Sequence, residues 1–262
     1  MVYANSLWHH ILEYGLGPPV VLLPGMTAAA ATYAFFAKAL APGHRVFVPD
    51  VRGRGLSDHP ESGFTLDDYA ADLLGILDRL DVASPILVGH SMGARIAAAF
   101  DVAFPNRVAG LVLIDPPLSG PGRDPYPYPP AMYHSMFEIA RSTDDPIAAM
   151  REIEPNATDA ALAERIRWLR ATDEQAIVET YRGFHDEDYH ALHASVSAPA
   201  ILVRGERSAV VTAAGADELR RLRKDIPVID IPDAAHLVPQ ENLAATGEVV
   251  RRFGRRLRET PR

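Results

Sequence analysis

The chain has 262 residues, 48% hydrophobic and 23% charged, enough apolar material for one full α/β domain or two smaller ones, and without the composition of a disordered segment. The absence of cysteine excludes disulfides, thiolate metal sites and a cysteine nucleophile, and fits a reducing compartment. A net charge of −8 argues against a nucleic-acid partner, and the first ten residues lack the basic and apolar regions of a leader, so a soluble, cytoplasmic protein with no membrane partner is expected.

Along the chain, residues 6–14 read as an early, antiparallel strand. Short apolar runs follow at Val20-Val21-Leu22-Leu23, Val46-Phe47-Val48, Ile86-Leu87-Val88, Leu111-Val112-Leu113-Ile114, Ile201-Leu202-Val203 and Val228-Ile229-Asp230-Ile231. Their alternation with helical patterns predicts a mostly parallel sheet covered on both faces. One such helix is expected over residues 66–80, with Thr65 as N-cap and Asp67 and Asp68 in its first turn, where carboxylates meet the positive end of the helix dipole. The alternation stops after Ile114. Residues 116–130 are rich in proline and glycine, and residues 131–192 look wholly helical before a strand returns at Ala200. This predicts an α/β core of residues 1–115 and 198–262, with residues 116–197 as a helical cap over the sheet's C-terminal edge, where open sheets bind ligands. A separate small domain is the alternative reading of that segment.

The most informative motif is Gly89-His90-Ser91-Met92-Gly93, which has an apolar run before it and a helix-forming stretch after it. A nucleophile elbow requires that context: the turn strains the serine and exposes its hydroxyl, and small neighbours let the chain double back. A serine hydroxyl is a weak nucleophile and needs a base within hydrogen-bond reach. Of ten histidines, His236 alone lies in a loop after the last strand and ahead of a terminal helix, which is the order seen in α/β-hydrolases. His90, beside the serine, is read as structural.

On its strand order and elbow the chain resembles the α/β-hydrolases. That resemblance most often places the orienting acid three residues beyond Gly205, but the residue there is Ser208. Asp115, at the end of the strand after the nucleophile helix and followed by Pro116 and Pro117, is the preferred acid, with Glu206 as the alternative. Pro24-Gly25-Met26 stands where relatives carry His-Gly-x, so the resemblance implies an oxyanion hole formed by the backbone N–H groups of Met26 and Met92. Asp50-Val51-Arg52-Gly53-Arg54-Gly55-Leu56-Ser57 follows a strand without opening a helix, so it is not read as a nucleotide loop. His185, Asp188 and His190 lack a further ligand at metal-binding spacing and are read as surface or helix-end residues. The arginines from 251 to 258 are read as a solvated helix face.

Three segments together are more specific: Asp50 through Ser57, Val88-Gly89-His90-Ser91-Met92-Gly93-Ala94-Arg95, and Ile114-Asp115-Pro116-Pro117-Leu118-Ser119-Gly120-Pro121-Gly122-Arg123. They resemble the N-formylmaleamate deformylases of aerobic nicotinate breakdown. The resemblance implies hydrolysis of a formyl C–N bond with Ser91, His236 and Asp115 as triad, no metal or organic cofactor, and a small-molecule carboxylate as substrate. It also explains the missing aspartate at position 208. Burying the substrate carboxylate calls for a cation, and Arg123 is the sequence's candidate. The same triad would serve an esterase or a carbon–carbon bond hydrolase acting on short ring-cleavage products. A cofactor-free oxygenase or perhydrolase, or a non-catalytic receptor, would use the same fold. Nothing in the sequence sets an oligomeric state.

Overall fold

The computed structural model describes residues 1–141, 144–155 and 157–259. Its first two strands, β1 (Val2–Ala4) and β2 (Leu7–His9), form a small antiparallel hairpin. The main sheet contains β3 (Ile11–Tyr14), β4 (Pro19–Leu23), β5 (Arg45–Pro49), β6 (Ile86–His90), β7 (Gly110–Ile114), β8 (Ala200–Gly205) and β9 (Val228–Ile231) in the order β3-β5-β4-β6-β7-β8-β9. Only β3 is antiparallel to its neighbour. The strand expected over residues 6–14 is therefore split between two sheets. The break falls at His10, whose carbonyl still accepts from the Asp50 N–H but whose own N–H donates to Ser57 Oγ, while its Nδ1 bonds the Asp50 carboxylate at 2.7 Å.

The helices are α1 (Ala34–Leu40), α2 (Leu66–Arg79), α3 (Met92–Ala103), α4 (Pro130–Arg141), α5 (Pro146–Ile153), α6 (Asp159–Leu169), α7 (Glu174–Asp186), α8 (Tyr189–Ser195), α9 (Ala213–Leu222), α10 (Val238–Glu241) and α11 (Leu243–Glu259). The N-terminus of α2 carries a reciprocal capping box: Thr65 Oγ1 accepts from the Asp68 N–H, and Asp68 accepts from the Thr65 N–H. None of the described helices is long and apolar enough to cross a membrane.

Alternation along the strands divides the core into two layers. Val20, Leu22, Val46, Val48, Val112 and Ile114 face α1 and α11, where they meet Phe36, Leu40, Val250 and Phe253. Val21, Leu23, Phe47, Leu87, Leu111 and Leu113 face α2 and α3. The second layer continues without a break into Phe137, Met150, Leu162 and Ile166 of the helical segment between β7 and β8. Shared burial of this kind couples that segment to the sheet.

Two buried arginines strengthen the coupling. Arg95 of α3 donates to the carbonyls of Pro117 and Ser119 at the start of the insertion and to those of Phe184 and Glu187 at the end of α7. Arg54 donates to the carbonyls of Met26 and Ala176 and to the hydroxyls of Tyr69 and Thr180, which fastens α7 to the turn after β4. Burial lowers the Arg95 guanidinium to about 10, and its carbonyl partners supply the donor satisfaction that a buried cation needs.

Candidate active site

The candidate site residues follow the C-terminal ends of strands along one edge of the sheet: Met26 after β4, Ser91 after β6, Asp115 after β7 and, one strand beyond β8, His236 after β9. Between β4 and β6 the chain reverses its direction of travel across the sheet, and such a switch opens a crevice at the strand ends. Ser91 occupies the crevice with φ 55° and ψ −118°, a conformation that side-chain-bearing residues seldom adopt. The flanking glycines make the turn feasible. A Cβ at Gly89 would lie 2.1 Å from the Gly93 carbonyl oxygen, and one at Gly93 would lie 2.1 Å from that of Leu23.

From this turn Ser91 Oγ lies 3.1 Å from His236 Nε2, and His236 Nδ1 lies 2.7 Å from Asp115 Oδ2. With Nδ1–H donating to the carboxylate, Nε2 is free to accept the serine proton. Burial holds the imidazole well below its ordinary range, at about 4, which keeps it a neutral base. Burial also pushes the Asp115 carboxyl up to about 7, against the opposing pull of a hydrogen bond from Ser208. That bond, 2.5 Å from Ser208 Oγ to Asp115 Oδ2, comes from the position where the fold more often carries its acid. Asp115 itself has φ 49°, and its N–H is tied to the Val203 carbonyl at 2.8 Å. Glu206 is exposed, and its carboxylate receives a long bond from the Asp233 N–H, at 3.4 Å.

His90 is a strut. Its Nε2–H donates to the His236 carbonyl at 2.7 Å, which fixes the tautomer, and its Nδ1 accepts from the Tyr33 hydroxyl at 2.5 Å. The Tyr33 oxygen in turn accepts from the Gly25 N–H at 3.3 Å. The line links the turn after β4 to the backbone of the histidine loop. Burial lowers His90 to about 3 and raises Tyr33 to about 12, so both remain neutral links. Met26 and Met92 are buried, and Arg54 donates to the Met26 carbonyl at 3.1 Å and touches Met92 Sδ at 3.8 Å, bracing both residues.

Arg123 is not brought to the serine. It is exposed and pairs with Glu218 at 2.9 Å, because the turn at Gly120 leads the chain over the outside of α9 before it returns inward. A second cation beside the turn after β4, besides Arg54, is Arg165 of α6, which sequence reading missed. Its Nη1 donates to Thr27 Oγ1, the residue after Met26, at 3.1 Å; its Nε pairs with Glu154 at 3.2 Å; and its charge is felt at His90, Tyr33 and Tyr133. The helix's pattern marks Arg165 only as half-buried among several arginines, so no local signal separates it from Arg167 or Arg170.

Tyr126 is the second residue missed. Its hydroxyl lies 3.3 Å from His236 Nε2, and it returns the insertion to the serine in a cluster with Tyr128, Tyr181 and Phe184. His185 positions it by accepting from the Tyr126 N–H at 3.2 Å. Asp188 caps α8, and His190 faces Glu218 at 3.4 Å. Among the described residues, no three His, Cys, Asp or Glu side chains gather as a metal ion would require. Arg251 and Arg255 both pair with Glu248 on α11.

The family described as alpha/beta hydrolase fold matches residues 18–144. Over 247 residues the chain is 37% identical to the N-formylmaleamate deformylase of Pseudomonas putida, covering 92% of this chain and 91% of that protein. It is 29% identical to the 2-(acetamidomethylene)succinate hydrolase of Mesorhizobium japonicum, covering 93% and 90%. Among solved structures, the N-formylmaleamic acid deformylase of Pseudomonas putida S16 superposes with a TM-score of 0.89 at 34% identity, covering 95% of this chain and 98% of that one.

Proposed function

This chain belongs to the α/β-hydrolase family, and from that premise we propose that it is a serine hydrolase that cleaves the formyl C–N bond of N-formylmaleamate, giving formate and maleamate, a step of aerobic nicotinate breakdown. Similarity over nearly the whole chain, insertion included, supports the substrate class, because the insertion is where α/β-hydrolases of one chemistry differ in specificity. The observation that carries the reaction is the hydrogen-bonded line from Ser91 through His236 to Asp115.

In this reading Ser91 Oγ attacks the formyl carbon while its proton passes to His236 Nε2. Asp115 keeps the Nδ1–H tautomer and stabilises the imidazolium. The oxyanion is held by the Met26 and Met92 N–H groups, and each such donor contributes about 3 to 4 kcal/mol to the transition state. Collapse breaks the C–N bond, and His236 returns the proton to the departing nitrogen. Water then adds to the formyl ester with His236 again as base, releasing formate and restoring the serine. The nitrogen lies between two acyl groups, so it leaves more readily than an amine. Every step uses side chains and backbone of this chain, so the proposal needs no cofactor.

The substrate carboxylate needs a partner in a site this buried. Both arginines carry a carboxylate partner, Glu154 for Arg165 and Glu218 for Arg123, but Arg165 fills that role better because it also bonds Thr27 beside the turn after β4, while Arg123 lies outside it. The test is a panel of N-formylmaleamate, maleamate and p-nitrophenyl acetate, with formate and ammonia measured separately. Formate without ammonia from N-formylmaleamate is expected. Ammonia from maleamate, or turnover of the ester alone, would reject the deformylase reading.

A further inference from the structure

Tyr126 has no part in the charge relay, yet its hydroxyl stands within hydrogen-bond reach of the atom that handles the proton in every step. It lies 3.3 Å from His236 Nε2, interacts with the hydroxyl of Ser91, and is only 5% exposed. An acyl transfer at Ser91 must bring the departing nitrogen to this same place, since Nε2 is its proton source. In the resting site the phenol therefore stands beside the place the leaving group will take.

The phenol is also held there. Its ring packs edge-on against Phe184 and Tyr181, with centroids at 5.2 and 6.1 Å; its backbone N–H is anchored by His185; and its hydroxyl interacts with that of Tyr133. Burial raises the Tyr126 phenol well above its ordinary value, so the group arrives as a donor. A fixed donor that needs no reorganisation is the arrangement that stabilises developing charge best.

When a diacylamine is cleaved, the electron pair of the breaking C–N bond moves onto nitrogen and spreads into the carbonyl that stays with the leaving group. We propose that Tyr126 is a catalytic residue that donates its O–H to this second carbonyl oxygen, stabilising the departing amidate while His236 delivers the proton to nitrogen. The inference rests on the hydrolase reading above and adds the reason for a preference: diacylamines gain from this donor, whereas simple amides and aryl esters carry no such oxygen in their leaving groups. The bond balance is unchanged, because the C–N bond breaks, the nitrogen takes the imidazolium proton, and the phenol keeps its own.

Tyr126→Phe tests it, removing one oxygen and keeping the ring packing. The quantity to measure is kcat/KM, which reports acylation for wild type and variant alike, on N-formylmaleamate, on the neutral diacylamine N-formylacetamide, and on p-nitrophenyl acetate. We expect a loss of roughly tenfold to hundredfold on both diacylamines, mostly in kcat, and a change of less than about threefold on the ester. The ester rate also reports whether the variant is folded. An equal loss on the ester, no loss on the diacylamines, or a wild type inert to both diacylamines would overturn the proposal. A wild type that hydrolyses N-formylacetamide but not N-formylmaleamate, with the same selective loss in the variant, would remove the proposed substrate and leave the role of Tyr126 standing.

Discussion

Ser208 Oγ donates to Asp115 Oδ2 at 2.5 Å, the same oxygen that receives His236 Nδ1 at 2.7 Å. The carboxylate stands at the end of β7, and a serine that follows the neighbouring strand β8 holds it. Burial favours the neutral acid and Ser208 favours the ionised one, so the hydroxyl shifts the balance. Asp115 must be ionised to orient His236, and losing a donor raises its pKa. Ser208→Ala should therefore move the acid limb of the kcat/KM–pH profile to higher pH, lower activity at pH 7 by about tenfold and recover much of it above pH 8. A profile with unmoved limbs would show that Ser208 only fills space.

Asp115 and Glu206 separate cleanly. Asp115→Ala should lower kcat by a factor on the order of 10³ to 10⁴ with the fold retained, whereas Glu206→Gln, at an exposed side chain, should change it less than about twofold. Steady-state kinetics and circular dichroism on both variants decide the ranking.

Ser91→Ala should abolish labelling by a serine-reactive phosphonate and the acylation burst with p-nitrophenyl acetate, yet still bind substrate, because the pocket and the oxyanion amides remain. Mass spectrometry after labelling locates the modified residue. Label on any other serine would place the nucleophile elsewhere.

The carboxylate anchor can be tested by contrast. Arg165→Met should raise KM for N-formylmaleamate roughly tenfold to hundredfold, as expected for a charge-assisted bond of about 1.5 to 3 kcal/mol, with far less effect on p-nitrophenyl acetate. Arg123→Met should leave both KM values within about threefold, since it breaks only an exposed pair with Glu218. The opposite order would return the anchoring role to Arg123.

Arg95 should matter for stability. Arg95→Met strands several buried carbonyls at the junction of α3 with the helical segment, each costing about 1 kcal/mol or more, so a loss of at least about 3 kcal/mol is expected. Thermal denaturation should show a fall in Tm of roughly 6 to 12 °C. A fall of under 2 °C would mean that water replaces the arginine without cost.

Much of the molecule was legible from its residues in order. Strand alternation, the Thr65 cap and the strained turn at Ser91 depend on neighbours a few positions apart, where backbone sterics and period-2 or period-3.6 patterning act directly. His236 was readable because chain order in this fold fixes which loop reaches the serine. What the sequence could not decide was which side chains meet across long separations. The Ser208 bond to Asp115 spans 93 residues, the Tyr126 approach to His236 spans 110, and the Arg165 bond to Thr27 spans 138. Its place at the entrance to the insertion offered Arg123 as the cation, but a turn and an ion pair with Glu218 sent it outward. Local patterns are written in the backbone's own geometry, whereas the partners of Asp115, Arg165 and Tyr126 are chosen only when the helices between β7 and β8 pack onto the loops after β4, β8 and β9, because burial and distance, not spacing along the chain, set the energy of those contacts.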